Sequence, residues 1–125
     1  MKTTQDQVRE WARTAARAAS AKGGDETVII EVGAVLAITD AFVISSGRNT
    51  RQVRTIAEEV ESRLKAEGDI SPLRVEGLGD SQWVLLDYGD LVIHVFLDET
   101  REFYDLERLW SDAPRVAWED EAARN

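Results

Sequence analysis

Trp83-Val84-Leu85-Leu86-Asp87-Tyr88-Gly89-Asp90-Leu91-Val92-Ile93-His94-Val95-Phe96 reads as a β-hairpin, and the fold follows from it. Two runs of strand-forming residues flank Gly89-Asp90, a dipeptide suited to a two-residue hairpin turn. That turn sets the register: Tyr88 faces Leu91, Asp87 faces Val92, Leu85 faces His94 and Trp83 faces Phe96. Cross-strand partners share a face. Val84, Leu86, Tyr88, Leu91, Ile93 and Val95 therefore make an almost purely apolar side, suited to a core. Trp83, Leu85, Asp87, Val92, His94 and Phe96 make the other side, where large aromatics mix with a carboxylate and an imidazole. That mixture suits a partner better than a core.

Upstream, Pro72 precedes a brief strand at Leu73 to Glu76, and Gly77-Leu78-Gly79-Asp80-Ser81 links it to the hairpin. Thr50 to Glu67 has Val53, Ile56, Ala57, Val60 and Leu64 at helical spacing, with Asn49 or Thr50 as cap and Gly68 as terminator. Thr27 to Val32 and Ala41 to Ser46 are β-branched or apolar strands. Thr4 to Lys22 reads as a helix with Val8, Trp11, Ala12, Ala15, Ala16 and Ala19 on one side. Thr4 and Gln7 have capping-box spacing, and Gly23-Gly24 ends the helix. Downstream, Asp98-Glu99-Thr100 opens a last helix carrying Phe103, Leu106, Leu109 and Trp110, which Pro114 closes.

The order α-β-β-α-β-β-β-α predicts an α/β (α+β) fold, a mixed, roughly five-stranded sheet with helices mostly on one face. Residues 1–114 read as a single domain and 115–125 as an acidic, flexible C-terminal tail. Helices over the aliphatic side of the hairpin leave the Trp83 side without internal cover, which marks an interface.

The 125 residues are 43% hydrophobic and 31% charged, enough for a real core. No apolar run reaches membrane-spanning length and no signal-peptide segment follows Met1, so a cytoplasmic protein is expected. With no cysteine and a single histidine, disulfides, thiolate chemistry and cysteine zinc sites are excluded. No cofactor or metal is expected. The net charge of -9 argues against binding along a nucleic-acid backbone and toward a basic protein partner, its blander meaning being solubility.

Ser45-Ser46-Gly47, between a strand and a helix, has the form of a phosphate-binding turn in nucleotidyltransferase-like folds. Such enzymes also need carboxylates at i and i+2 on a neighbouring strand. None is present: Asp87 and Asp90 flank a turn, Glu58-Glu59 lies on a helix and Glu119-Asp120-Glu121 in the tail. A structural turn and cap is the better reading. His94 has only Asp87 as a diagonal neighbour, which favours a packing or interface role with one ring nitrogen donating locally. For Trp83 and Phe96, burial under a loop weighs equally with an interface. Arg48, Arg51 and Arg54 cluster at a helix N-terminus, where surface pairing with Asp40 or Glu58 is favoured over contact with RNA or an acidic surface.

Several segments together resemble the ribosomal silencing factor, or Iojap, family. They are Thr39-Asp40-Ala41-Phe42-Val43-Ile44-Ser45-Ser46-Gly47, Arg51-Gln52-Val53, Val75-Glu76-Gly77, Trp83 to Asp90, His94-Val95-Phe96 and Tyr104-Asp105-Leu106-Glu107-Arg108-Leu109-Trp110. The likeness runs from Asp6 to Pro114 and assigns no role to the tail. It implies a bacterial or organellar protein that binds large-subunit ribosomal protein fourteen and blocks joining of the small subunit, repressing translation when nutrients are scarce. It also implies a nucleotidyltransferase-like fold without catalysis, a homodimer when free, and a partner surface that includes the hairpin tryptophan, here Trp83. Leu85, Asp87, Tyr88, His94 and Phe96 extend that surface by hairpin geometry and the shared motif. On this reading direct RNA contact is minor and no membrane is involved. The alternatives are a nucleotide-handling enzyme built on Ser46-Gly47 and a homodimeric scaffold that consumes the Trp83 face in self-contact.

Overall fold

The computed structural model describes residues 4–119, so the end of the expected tail, residues 120–125, lies outside it. Helix α1 (Gln5–Ala21) starts where the Thr4 hydroxyl accepts the Gln7 N–H at 3.1 Å, half of the expected capping box. Its alanine-rich face, Ala12, Ala15, Ala16, Ala18 and Ala19, is buried with Val8. Small side chains let the helix approach the sheet and α2 (Thr50–Gly68) closely. Asn49 caps α2 by accepting the Gln52 N–H at 2.8 Å, and Val53, Ile56, Ala57, Val60 and Leu64 form its buried stripe. Gly68 is the last helical residue of α2, and Asp69 takes the left-handed conformation that ends it.

Five strands make one sheet: β1 (Asp25–Glu31), β2 (Ala41–Gly47), β3 (Arg74–Glu76), β4 (Trp83–Asp87) and β5 (Leu91–Leu97). Their spatial order is β1-β2-β5-β4-β3, with β2 and β5 parallel and the other pairs antiparallel. The hairpin register is the expected one, with Trp83 opposite Phe96, Leu85 opposite His94 and Asp87 opposite Val92. Only Gly89 of the turn takes a positive φ, +88°, the pattern of a type II′ turn, and the Tyr88 N–H donates to the Leu91 carbonyl at 2.8 Å. Among the described residues no helix is long and apolar enough to cross a membrane.

Alternation along the strands sorts their side chains into two cores. Val43 of β2, Val84 and Leu86 of β4, and Leu91, Ile93 and Val95 of β5 pack under α1 and α2. On the opposite side Ile30, Val32, Phe42, Ile44 and Phe96 form a second, smaller core. This side was expected to lack cover, and the structure corrects that: Leu36, Leu106, Trp110 and Ala113 close over it.

The expected single last helix is two, α3 (Asp98–Tyr104) and α4 (Leu106–Leu109), broken at Asp105 with φ 48° and ψ 53°. Leu97, without a side-chain cap, precedes α3, and Asp98 and Glu99 occupy its first turn instead of capping it. The break turns Leu106 and Trp110 inward but leaves Phe103 and Leu109 exposed, so the four apolar residues expected on one helix do not share one environment.

The segment after Pro114 is also not a loose tail as far as Glu119. It runs beside β1, where the Glu31 N–H donates to the Pro114 carbonyl at 2.9 Å and the Val116 N–H to the Ile29 carbonyl at 3.1 Å. The Trp118 indole N–H donates to the Thr27 carbonyl at 2.9 Å, and Arg13 and Arg17 of α1 donate to the Ala117 and Trp118 carbonyls. The outer edge of β1 is thereby covered.

Candidate functional site: the Trp83 face

Trp83 begins β4, directly after a loop packed closely against it. Gly77 (φ +88°) lies against the Trp83 carbonyl so tightly that a Cβ there would overlap it. Ser81 folds the loop back, its N–H donating to the Gly77 carbonyl at 2.9 Å and its hydroxyl to the Leu78 carbonyl at 2.7 Å.

The partly exposed indole rests on Phe96, its cross-strand partner, at a centroid separation of 4.8 Å, and is flanked by Tyr104 of α3 at 4.8 Å. Its N–H donates to Nδ1 of His94 at 3.1 Å. His94 was expected to donate; instead it accepts, which leaves the proton of the neutral ring on Nε2. Phe42 meets the imidazole edge-on at 4.7 Å, and Trp110 meets Phe42 at 5.8 Å. Burial pushes the His94 pKa down to about 4, so the ring is neutral at physiological pH.

The hairpin residues expected to bind a partner therefore separate by depth. Trp83, Leu85 and Asp87 reach the surface of one face. Phe96 is fully buried and His94 nearly so; both support the indole from below. Tyr88 lies on the opposite, helix-packed face, where burial and the nearby Glu61 carboxylate push its phenol above its usual pKa. Asp87 accepts the Gly89 N–H at 2.8 Å and pairs with Arg74 at 3.3 Å, so it holds the turn as well as facing outward. Sequence reasoning missed the contribution of α3: Tyr104 extends the ring stack, and Phe103, 81% exposed, meets Tyr104 at 5.0 Å. The adjacent aromatics Phe103 and Tyr104 are the signal in the sequence, where Phe103 was placed on the last helix and Tyr104 entered only as part of the family-like motif.

Ser45, Ser46 and Gly47 are the end of β2, paired with Val95, Phe96 and Leu97, and not the expected turn; both serines are committed to the fold. Buried Ser45 shares a 2.8 Å hydrogen bond with Thr27, and Ser46 accepts from Nη1 of Arg101 at 3.1 Å. Arg101 also grips Glu107 through two bonds of 3.1 and 3.0 Å and donates to the carbonyls of Asp25 and Glu26 at 2.9 and 2.6 Å. Glu26 has φ 44° within an irregularity of β1, which turns both carbonyls toward the guanidinium. Arg101 thus joins the N-terminal end of β1 and the end of β2 to α3 and α4. The expected pairing of Arg48, Arg51 or Arg54 with Asp40 or Glu58 is not formed; Arg54 donates to the Leu78 carbonyl at 2.8 Å instead. Among the described residues no group of three His, Cys, Asp or Glu is arranged to hold a metal ion.

Comparison with known families matches residues 5–125 to the one described as "Ribosomal silencing factor during starvation". The chain belongs to the ribosomal silencing factor family. The family match runs beyond Pro114, so the segment docked on β1 is part of the shared pattern. The "Ribosomal silencing factor RsfS" of Halalkalibacterium halodurans is 37% identical over 110 residues, 88% of this chain and 93% of that protein. The protein of that name from Bacillus subtilis is 35% identical over 102 residues, 82% of this chain and 86% of its own. A crystal structure of a Chromobacterium violaceum protein superposes with a TM-score of 0.79 at 28% identity, covering 93% of this chain and 95% of that one. The mixed five-stranded sheet is thus shared with a solved structure.

Proposed function

We propose that this silencing-factor chain binds large-subunit ribosomal protein fourteen through the Trp83 face and, once bound, sterically blocks association of the small and large ribosomal subunits, repressing translation when nutrients are limited. The observation that carries the reading is the partly exposed indole held between Phe96 and Tyr104 with its N–H already satisfied by His94. A large aromatic held in one orientation loses little further freedom on docking, and such residues dominate interface energetics. Leu85 and Asp87 lie beside it on the same face, while Tyr88, His94 and Phe96 act from beneath by holding the hairpin and the ring in place.

Exposed Glu99, Glu102 and Asp105 stand near Tyr104 in the chain and suit a basic partner, as does the net charge of -9. Occlusion needs no chemistry, so the chain acts in the cytoplasm without enzymatic activity or cofactor. Phe103 and Leu109 carry exposed apolar area that a second copy covers in a free homodimer.

Sucrose-gradient co-sedimentation with separated ribosomal subunits tests the reading. Wild-type protein should travel with the large subunit and prevent intact ribosomes from forming when the small subunit is added, and Trp83→Ala should do neither. Protein left at the top of the gradient with normal subunit joining would overturn it.

A further inference from the structure

A concave groove of about 360 Å³ lies on the sheet beyond His94, with Leu36, Ile38, Leu73, Leu85 and Val92 among its lining residues. Ile38 is 82% exposed and Leu73 75%, an apolar side chain from each of the two loops that bound it. The lining also includes His94 and Thr39, each about 95% buried. Nε2 of His94 and Oγ1 of Thr39 have no hydrogen-bond partner, and only the Tyr88 hydroxyl shares that state among buried side-chain atoms of the described residues. Buried polar groups are ordinarily paired, and an unpaired one is costly. Here two of them belong to one groove. Nδ1 of His94 accepts from Trp83, so the unpaired Nε2 carries a hydrogen and needs an acceptor, while the Thr39 hydroxyl can accept or donate.

We propose that this groove receives an extended peptide segment of the basic partner protein, whose backbone carbonyl accepts from Nε2 of His94 and whose adjoining N–H donates to Oγ1 of Thr39. The proposal rests on the Trp83-face reading and extends it to a second point of attachment. One residue of an extended segment presents its own C=O and N–H to the same side, an acceptor and a donor to match the two unpaired atoms, and small apolar side chains beside it suit the leucine, isoleucine and valine lining. Glu76, Asp87 and Arg74 also line the groove; Arg74 pairs with Asp87 at 3.3 Å, which leaves the Glu76 carboxylate to favour a segment bearing lysine or arginine. Both unpaired atoms are closed to solvent in the free chain, so one wall must yield as the segment enters. The Val32–Asp40 loop is that wall, closed at its base by the Val32 N–H donating to the Asp40 carbonyl at 2.9 Å.

Thr39→Val tests the proposal because it removes the hydroxyl and keeps the shape. Binding of the purified variant to isolated large subunits should weaken by roughly tenfold, the loss expected for one well-made hydrogen bond, while its melting temperature stays level or rises. Ile38→Lys, at an exposed position, should weaken binding similarly by placing on the apolar rim a charge of the same sign as the segment's own. If both variants bind as wild type while Trp83→Ala fails, the groove proposal falls and the Trp83 face stands. If Trp83→Ala also binds normally, the underlying reading falls with it. An independent readout covers the case of a misfolded variant. His94 is the only histidine, so its Nε2 resonance in a proton–nitrogen spectrum is unambiguous and should shift when the isolated ribosomal protein is added. An unmoved resonance in a complex that demonstrably forms would overturn the contact.

Discussion

At the residue scale, Trp83 and His94 divide the work between display and support. Trp83→Ala should weaken large-subunit binding by roughly thirtyfold or more, the scale of an interface hot spot, with a smaller effect on stability because the indole is only partly buried. Titration of binding against each variant checks this. His94 carries a pH dependence of definite sign. Its folded pKa, about 4, lies below the unfolded value of 6.5, so the unfolded chain takes up the proton first. Above about pH 6.5 both states hold a neutral ring and nothing is lost; as pH falls from there toward about 4, stability declines by as much as about 3 kcal/mol. Urea denaturation in steps from pH 7.5 to pH 5 should show the decline, and His94→Phe should flatten it in the range where carboxylates have not yet titrated.

At the scale of elements, Arg101 couples the C-terminal helices to the sheet edge. Arg101→Met leaves Glu107 and the Asp25 and Glu26 carbonyls without their shared donor and should destabilise by about 3–5 kcal/mol, read from denaturation midpoints. Tryptophan fluorescence should change with it, since Trp110 and the Tyr104 contact to Trp83 both depend on where α3 and α4 lie. The hairpin was legible because register, turn and face assignment all follow from a period of two around Gly89. The two-helix ending was not. Asp105 adopts the left-handed conformation without being glycine, so nothing local announced the break, and the partners that stabilise it, Asp25 and Glu26, lie far away in the chain. The place of Trp83 on the hairpin face away from α1 and α2 was legible, whereas the tautomer of His94 and the ring contact of Tyr104 required knowing which groups meet in space. Val116 and Trp118 do alternate as a strand would, but the charge that follows them led to a tail reading.

At the scale of the whole molecule, the docked C-terminal segment closes one side of the sheet. Removing residues 115–125 should uncover β1 and lose the Trp118 contacts, lowering stability by about 2–3 kcal/mol by urea titration. If the partner is the basic protein proposed above, the net charge of -9 predicts that association slows as salt is raised while dissociation changes less, a distinction that stopped-flow mixing resolves.

The sheet's central strand is its last. β5 lies between β2 and β4, so neither has its inner neighbour until residue 97 has been made, and the clasp at Arg101 and the segment beside β1 come later still. The β2–β5 pairing spans a long stretch of chain, from Ala41 to Leu91, so the β1–β2 and β3–β4 pairs stay separate until β5 is made. A nascent chain halted before Leu91 holds α1 and α2 with no complete sheet to cover, and a protease should digest it as an unfolded polypeptide. The two halves of the sheet therefore join only once Leu97 has been made, and the Trp83 face does not exist before then.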